Sequence, residues 1–173
     1  MKNNLSSEKT RGLFLPQAYR YADPAGIEPK EVARLYQEVG WDEYTGADIK
    51  DLNESWRARG VTMLDVGVRD KGGLLVGFGS IFYRDKAGML NGFAVIPACQ
   101  SLGIGKAIID ERLRRAELVG VESLYIPYLK LTNTLESYYL EQGFQRTELG
   151  ELVRGPHPVS ITGERPRPEL LNP

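Results

Sequence analysis

The chain has 173 residues, about one domain, and its 42% hydrophobic and 26% charged residues are enough to form a core. Its 22 Lys and Arg residues against 23 Asp and Glu give a net charge of −1, which excludes the strongly positive surface of most nucleic-acid binders and of proteins adsorbed on anionic membranes. A single cysteine, Cys99, excludes an intrachain disulfide, and a single histidine, His157, argues against a zinc site or a His-based catalytic dyad.

The first sixty residues predict one short strand, around residues 17–21, and two amphipathic helices. The first helix begins at Pro29 and ends at Gly40, with apolar residues at the i, i+3, i+4 and i+7 spacing. The second begins at a capping motif at residues 45–48 and ends before Gly60. Because each helix has one apolar face, each should lie on a sheet.

Three consecutive strands are predicted next. Residues 61–69 and 74–83 form a hairpin around Asp70-Lys71-Gly72-Gly73, and residues 89–96 follow as a third strand. Pro97 ends that strand, since proline has no N–H to donate to a ladder.

The second half alternates helices and strands. A helix is predicted at residues 103–119, a central strand at 121–129, a helix from Asn133 to Gly143, and one or two strands at 144–153. The charged residues of the long helix predict a solvated face, on which arginines cluster: Arg112, Arg114 and Arg115.

This element order predicts a mixed α/β fold in one domain, residues 1–155. The helix between the third strand and the central strand makes those two strands a parallel pair, and the earlier strands are antiparallel. Five of the ten prolines fall in residues 156–173, which predicts an extended arm or tail. The sequence has no run typical of a secretory signal or a membrane span, so a cytoplasmic protein is expected.

A glycine loop, Gln100-Ser101-Leu102-Gly103-Ile104-Gly105, lies between a predicted strand end and a predicted helix start. The first amides of a helix have no intrahelical partners, so this loop predicts a phosphate or pyrophosphate site, to which Lys106 could add a cation. The spacing fits neither a Walker A loop nor a dinucleotide-binding fingerprint, because Gln100, Ala107 and Ile108 stand where those motifs need other residues.

With its flanks, the loop resembles a more specific motif. Phe93-Ala94-Val95-Ile96-Pro97 followed by Gln100-x-x-Gly103-x-Gly105 is similar to the acyl-coenzyme A binding motif of the GNAT acyltransferase superfamily. Asn133, the run Tyr139–Phe144 and the first helix also resemble that family, and the likeness extends over roughly residues 32–144. It implies a mixed, mostly antiparallel sheet with helices on both faces, whose parallel pair splays open as a coenzyme slot.

The resemblance also implies roles for individual residues. Phe93, Ala94 and Val95 would bind the pantetheine arm through their backbone, and Asn133 would hydrogen-bond it, although the family spacing usually puts this asparagine at position 132. Tyr139 would face the thioester sulfur. The pyrophosphate would be held by the loop: Gln100, Ser101, Leu102, Gly103, Ile104, Gly105 and Lys106.

The implied function is an N-acetyltransferase that moves an acetyl group from acetyl-coenzyme A to an amine by direct attack in a ternary complex, without a metal. A backbone N–H near Val95 would stabilise the oxyanion, and Tyr139 would donate a proton to the leaving thiolate. The amine is not identified, no nucleic acid or membrane partner is expected, and a homodimer is left open. Two alternatives remain: a catalytically weak acyl-coenzyme A sensor, and a nucleotide-phosphate binder.

Other residues carry open interpretations. Asn91 stands where a carboxylate base is expected, so a water chain, Tyr128, or the acidic pair Asp42 and Glu43 could relay the proton. Aromatic residues could line the acceptor pocket or simply pack against the core: Trp41, Tyr44 and Trp56. Tyr139 itself lies on an apolar helical face and could be a core residue, and Cys99 is interpreted as an inert small side chain.

Overall fold

The computed structural model describes residues 15–127, 133–148 and 150–156. The strands are β1 Tyr19–Tyr21, β2 Thr62–Asp70, β3 Leu75–Arg84, β4 Ala87–Val95, β5 Ser123–Ile126, β6 Gln145–Arg146 and β7 Leu152–Arg154. The helices are α1 Pro29–Glu38, α2 Gly46–Ala58, α3 Ile104–Leu118 and α4 Asn133–Glu141, with single 3₁₀ turns at Pro24–Gly26 and Pro97–Cys99.

The described strands form one seven-stranded sheet in the order β1-β2-β3-β4-β5-β7-β6. Strands β4 and β5 run parallel, and the other neighbouring strands of the described sheet run antiparallel. The helix that connects β4 to β5 is α3, as a crossover connection requires. The mixed α/β fold with one parallel pair is therefore confirmed.

The first two helices begin where the sequence predicts. Glu28 and Glu31 form reciprocal capping contacts at the start of α1, and Thr45 and Asp48 do the same for α2. These contacts satisfy N–H groups that have no partner inside the helix.

Helices cover both faces of the sheet. Alternate residues of a strand point to opposite faces, and on β3 the ring of Phe78 meets Tyr36 of α1 while Phe82 meets Trp56 of α2. Between them, Ile81 points to the other face and joins a cluster with residues of α3 and α4. The two faces of the sheet at β4 are therefore covered by different helix pairs.

The solvated arginine face predicted for α3 is wrong at Arg112, whose residue surface is only 1% exposed. Helix α3 packs against both β2 and β3, so the buried part of its surface is wider than one apolar stripe and includes Arg112. Glu111 is buried beside it, and its carboxylate is paired with Arg114 and Arg115 at 2.7 Å in both cases.

An ion pair between Glu31 and Arg69 joins the start of α1 to the end of β2 through two hydrogen bonds of 2.6 and 2.8 Å. The bonds from Arg69 lower the pKa of Glu31 to about 2. A carboxyl whose pKa is lowered by folding stabilises the protein above its unfolded pKa, and this contribution is lost as the pH falls toward the folded value.

We expect Glu31→Gln to reduce the free energy of unfolding by about 2–3 kcal/mol at pH 7, and the difference from the wild type to shrink steadily between pH 4.5 and pH 2. Chemical denaturation at several pH values measures this. Glu38→Gln is the control, because the Glu38–Arg34 pair is more exposed and such pairs contribute about 0–1 kcal/mol. A difference that stays constant down to pH 2 would contradict the assignment.

No helix among the described residues has the length and apolar character needed to cross a membrane.

Candidate functional site

The parallel strands β4 and β5 separate partway along their length. They pair at Ala87 with Ser123, Gly88 with Leu124, and Met89 with Tyr125, and β4 then continues to Val95 without further pairing to the described residues of β5. At its own end β5 pairs with β7, through Ile126 and Leu152. Among the described residues this leaves an opening in the sheet, which we call the wedge, bordered by residues 90–95 of β4.

A β-bulge in β4 lies at the mouth of the wedge. Ser80 of β3 is opposite Asn91 and Phe78 is opposite Ala94, so one residue of β3 faces two of β4. The bulge contains Gly92, which has a φ of 56°. A Cβ atom at Gly92 would lie 2.3 Å from the hydroxyl of Tyr36, so only glycine lets this phenol approach the strand.

The backbone of Val95 points into the wedge. The N–H of Ile96 donates to the carbonyl of Val76 on β3 at 3.0 Å, and backbone groups alternate in direction along a strand. The N–H and C=O of Val95 therefore face away from β3, and the Val95 carbonyl accepts a hydrogen bond of 3.0 Å from Gln100 Nε2. Gln100 thus ties the glycine loop to the strand end.

The glycine loop presents amides without partners. Ser101 and Gly103 have φ angles of 62° and 82°, α3 begins at Ile104, and no side chain caps it. Within the described part of the chain, no acceptor is bonded to the backbone N–H groups of residues 101–106. Converging amides at a helix start, where the helix dipole is positive, suit a pyrophosphate.

Close packing brings this loop to the wedge. A Cβ atom at Gly105 would lie 3.2 Å from the ring of Phe93 and 3.8 Å from the side chain of Val95. The predicted strand residues and the predicted loop residues therefore form one continuous surface. The chemistry of this surface, a row of backbone donors beside an open strand edge, fits an elongated ligand with an anionic end.

Lys106 adds a cation to the loop, but it is held by neighbours. Its ammonium pairs with Asp110 at 2.7 Å and lies 5.0 Å from the ring centre of Tyr138, whose phenol also donates to Asp110. These contacts raise the pKa of Lys106, with the hydrogen bond to Asp110 the largest cause. Lys106 is charged beside the free amides at neutral pH.

Tyr139 is buried on the α3 side of the wedge and is 2% exposed. Its phenol oxygen accepts a hydrogen bond of 2.7 Å from Arg112 Nη2. Burial raises the pKa of Tyr139 and the Arg112 guanidinium offsets part of this effect, so the phenol is protonated at neutral pH. Among the described residues its own hydrogen has no acceptor, which leaves it able to donate.

Arg112 links Tyr139 to the bulge. Its guanidinium carbon lies 5.1 Å from the ring centre of Phe93, and Nη1 is 3.4 Å from the carbonyls of both Ser80 and Asn91. Its Nε atom is buried without a partner in the described structure. A guanidinium stays charged throughout the physiological range, so a full positive charge sits beneath the wedge, and sequence reasoning missed it.

The other aromatic residues proposed for the acceptor side are distributed unevenly. The rings of Trp41 and Tyr44 pack against Tyr36, with centroids 4.9 and 5.8 Å away, close to the bulge. Trp56 instead packs on Phe82, farther along the sheet. Cys99 is buried.

Of the proposed relay residues, Asp42 and Glu43 are exposed in the loop after α1. The side chain of Asn133 and the whole of Tyr128 lie outside the described residues, as do residues 157–173 of the proposed arm.

A sheet that opens between a parallel pair, beside a helix start whose amides have no described partner, is the arrangement that the resemblance to the acyltransferases implies. Residues 64–146 match the model of the acetyltransferase (GNAT) domain. The resemblance noted in the sequence is confirmed, and acetyl-coenzyme A is the acyl donor of this family. The comparison with curated proteins found no match.

Solved structures share the fold. A GNAT-family acetyltransferase from Staphylococcus aureus Mu50 is 13% identical with a TM-score of 0.64, covering 79% of this chain and 98% of its own. The ribosomal-protein-S18-alanine N-acetyltransferase from Escherichia coli is 16% identical with a TM-score of 0.61, covering 78% and 90%. The PaiA N-acetyltransferase from Thermoplasma acidophilum, solved with coenzyme A, is 16% identical with a TM-score of 0.51, covering 79% and 96%.

Proposed function

We propose that the protein is an N-acetyltransferase that moves an acetyl group from acetyl-coenzyme A to an amine by direct attack in a ternary complex. The observation that carries the proposal is the row of free amides at residues 101–106, placed by Gly105 against the strand edge at Phe93 and Val95. One end of this surface suits a diphosphate, and the other suits an extended amide-containing arm.

The donor would be held almost entirely by backbone groups. The amides of residues 101–106 would bind the pyrophosphate, each charge-assisted bond contributing about 1.5–3 kcal/mol, and Lys106 would add charge attraction. The carbonyl of Val95 would pair with the pantetheine arm, which leaves its N–H for the reaction, and Asn133 is the further proposed partner of that arm. Gln100 would act indirectly, because its amide is already bonded to the Val95 carbonyl.

The amine would approach from the opposite face of the sheet, past Tyr36 and the aromatic rings packed on it. Holding amine and thioester together can lower the barrier by about 7–11 kcal/mol, because the entropy of bringing them together is lost on binding. The neutral amine would attack the thioester carbon, forming the C–N bond. The N–H of Val95 would stabilise the oxyanion that develops, since it points into the wedge.

Tyr139 would protonate the departing thiolate. Its hydrogen has no acceptor among the described residues, and its oxygen is oriented by Arg112. The phenolate that forms as the proton leaves would be stabilised by the Arg112 charge at 2.7 Å, before it recovers a proton from the product nitrogen. Arg112 is thus a positioning residue that also offsets the cost of ionising a buried phenol.

Calorimetric titration with acetyl-coenzyme A, followed by measurement of thiol release with a panel of amines, tests the proposal. The panel includes spermidine, kanamycin, a lysine-containing peptide, and a peptide beginning with alanine, since one structural neighbour is named for an alanine acceptor. Binding together with amine-dependent thiol release is the expected result. Absence of coenzyme binding would overturn the proposal.

An acyl-coenzyme A sensor is the second candidate. Asn91 favours it, because an amide occupies the position in β4 where a carboxylate base is expected. Binding without thiol release across the panel would favour the sensor. Competition by ATP as strong as competition by coenzyme A would instead indicate a general nucleotide-phosphate binder.

A further inference from the structure

Asp65 is a carboxylate in the middle of β2 that no cation of the described residues pairs with. Its residue is only partly exposed, and one carboxylate oxygen, Oδ1, accepts a hydrogen bond of 2.5 Å from the hydroxyl of Ser80. Its other oxygen, Oδ2, accepts no hydrogen bond from a donor in the described part of the chain. A carboxylate withdrawn from water without a cation is costly, and such groups concentrate at functional sites.

The sheet register places Asp65 in line with the mouth of the wedge. Asp65 is opposite Ser80 on β3, and Ser80 is opposite Asn91 on β4, at the start of the bulge. Directly paired residues point to the same face, so the three polar side chains form a row across three strands. Adjacent strands are about 4.8 Å apart, so about 10 Å separate the backbones of Asp65 and Asn91. Two side chains and one water molecule between them can span that distance.

This row lies on the face where the amine would approach. Ser80 falls between Phe78 and Phe82 in the strand alternation, and those two rings contact α1 and α2. The hydroxyl of Tyr36 reaches the same bulge from α1. Asp65, Ser80 and Asn91 are therefore separated from Arg112 and Tyr139 by the thickness of the sheet.

The groups around Asp65 make its carboxylate a stronger proton acceptor than an exposed aspartate. Burial raises the pKa of Asp65, and the Ser80 hydroxyl, Arg57 of α2 and Arg115 of α3 offset part of the rise. Arg115 donates to the backbone carbonyl of Asp65 at 2.8 Å rather than to its carboxylate. From α1, the phenol of Tyr36 faces Asp65, and burial raises the pKa of that phenol too, so it is uncharged.

We propose that Asp65 takes the proton from the acceptor ammonium, through one water held between Ser80 and Asn91. The inference rests on the proposed function and deepens it in two ways. It supplies the base that β4 lacks, and it assigns the acceptor to the aliphatic amines, which are ammonium ions at neutral pH and need deprotonation before attack.

The proton balance is simple. The ammonium gives one proton to the water, which passes one to the Asp65 carboxylate, so the amine becomes neutral. The amine nitrogen attacks the thioester carbon, the C–S bond breaks, and the second nitrogen proton is the one that ends on sulfur by way of Tyr139. The products are an amide and a thiol, and Asp65 then releases its proton to solvent.

The test compares Asp65→Asn with Asp51→Asn, the same chemical change at an exposed position on α2. With the panel amine that gives the fastest thiol release, we expect Asp65→Asn to lower kcat/KM at pH 7 by about 10²–10⁴-fold, with coenzyme affinity unchanged by calorimetry. Its remaining rate should keep rising with pH toward the pKa of the amine, because bulk deprotonation then supplies the neutral nucleophile. Asp51→Asn should match the wild type.

Ser80→Ala distinguishes a proton acceptor from a structural residue. The Ser80 hydroxyl holds the pKa of Asp65 down, so its loss should move the acidic limb of the kcat/KM profile to higher pH by about 0.5–1 unit. A folded, coenzyme-binding Asp65→Asn variant with wild-type rate and pH profile would overturn the inference.

Failure of the proposed function would be seen separately, as a wild type that binds acetyl-coenzyme A but releases no thiol with any amine. In that case carboxyl-carbon NMR, with the Asp65 signal assigned by Asp65→Asn, still decides the inference. A pKa above the ordinary value of about 3.9 that rises further in Ser80→Ala supports the proton-acceptor assignment, and an ordinary pKa overturns it.

Discussion

Tyr139→Phe is expected to lower kcat by about 10²–10⁴-fold with little change in the affinity for acetyl-coenzyme A. The substitution removes the proton donor for the leaving thiolate but keeps the ring, which packs edge-on against Phe144 at a centroid distance of 5.3 Å. Steady-state rates of thiol release, together with calorimetric titration of the coenzyme, measure the two quantities separately.

The variant also has a structural cost that must be kept apart from the chemical one. Without the phenol, Arg112 Nη2 loses its 2.7 Å acceptor inside the core, which costs about 1–3 kcal/mol of stability. Circular dichroism at the assay temperature therefore accompanies the kinetics. Tyr138→Phe is the matched control, since its partly exposed phenol bonds Asp110 instead, and its kcat should change little. A folded Tyr139→Phe with unchanged kcat would remove Tyr139 from the mechanism.

Gly103→Val is expected to weaken coenzyme binding by about 10²–10⁴-fold. Gly103 has a φ of 82°, and a β-branched residue in that conformation is strained by about 1–3 kcal/mol. The loop would relax by rotating its backbone, so the amides of residues 101–106 would no longer converge. Loss of two charge-assisted bonds, at about 1.5–3 kcal/mol each, gives the stated range.

Gly120→Val provides the matched control because it lies at the other end of the same helix. Its φ is 80°, and a Cβ atom has open space at both glycines. Both variants should therefore lose similar amounts of stability in thermal melts, while only Gly103→Val loses coenzyme affinity. Equal coenzyme affinity in the two variants would show that the loop amides do not bind the pyrophosphate.

Local signals were enough to predict most of the framework. Pro29 and the capping pair Thr45 and Asp48 define the starts of the first two helices, because the contacts involved lie within four residues of each other. The glycine loop is equally local, since its free amides follow from a helix start without a capping side chain. The same reasoning gave the parallel pair, because a single helix connects its strands.

Arg112 could not be placed from its residue type. Arginines are usually exposed, and Arg114 and Arg115 beside it are partly exposed. A signal was nevertheless present, since Arg112 lies four residues after Ile108 and four before Ala116, both of which are fully buried. At the i, i+4 spacing of a helix, these neighbours put Arg112 on the apolar stripe.

Asp65 was missed for a different reason. Its role depends on the strand register, which places Ser80 beside it and Asn91 one strand farther, although they are 15 and 26 positions away in the chain. Hydrophobic alternation in residues 61–69 does not give the pairing partners. For the last segment, residues 144–153, the sequence predicted one or two strands, and the structure has two short ones, β6 with two residues and β7 with three, which ends at Arg154.

Because β4 and β5 pair over only three residues, the sheet lacks a strand beside the second half of β4 among the described residues. Three residue pairs join the four strands on one side to the three on the other, and past Met89 the edge of β4 has no neighbour of its own chain in the described structure. On the proposed function, the donor's amide arm would serve as that absent strand, so occupancy would complete the architecture as well as deliver the acetyl group. Binding of the donor would then also hold the two halves of the sheet together. A saturating concentration of donor would therefore raise the free energy of unfolding, and the gain would come from the place where the fewest residue pairs join the two halves.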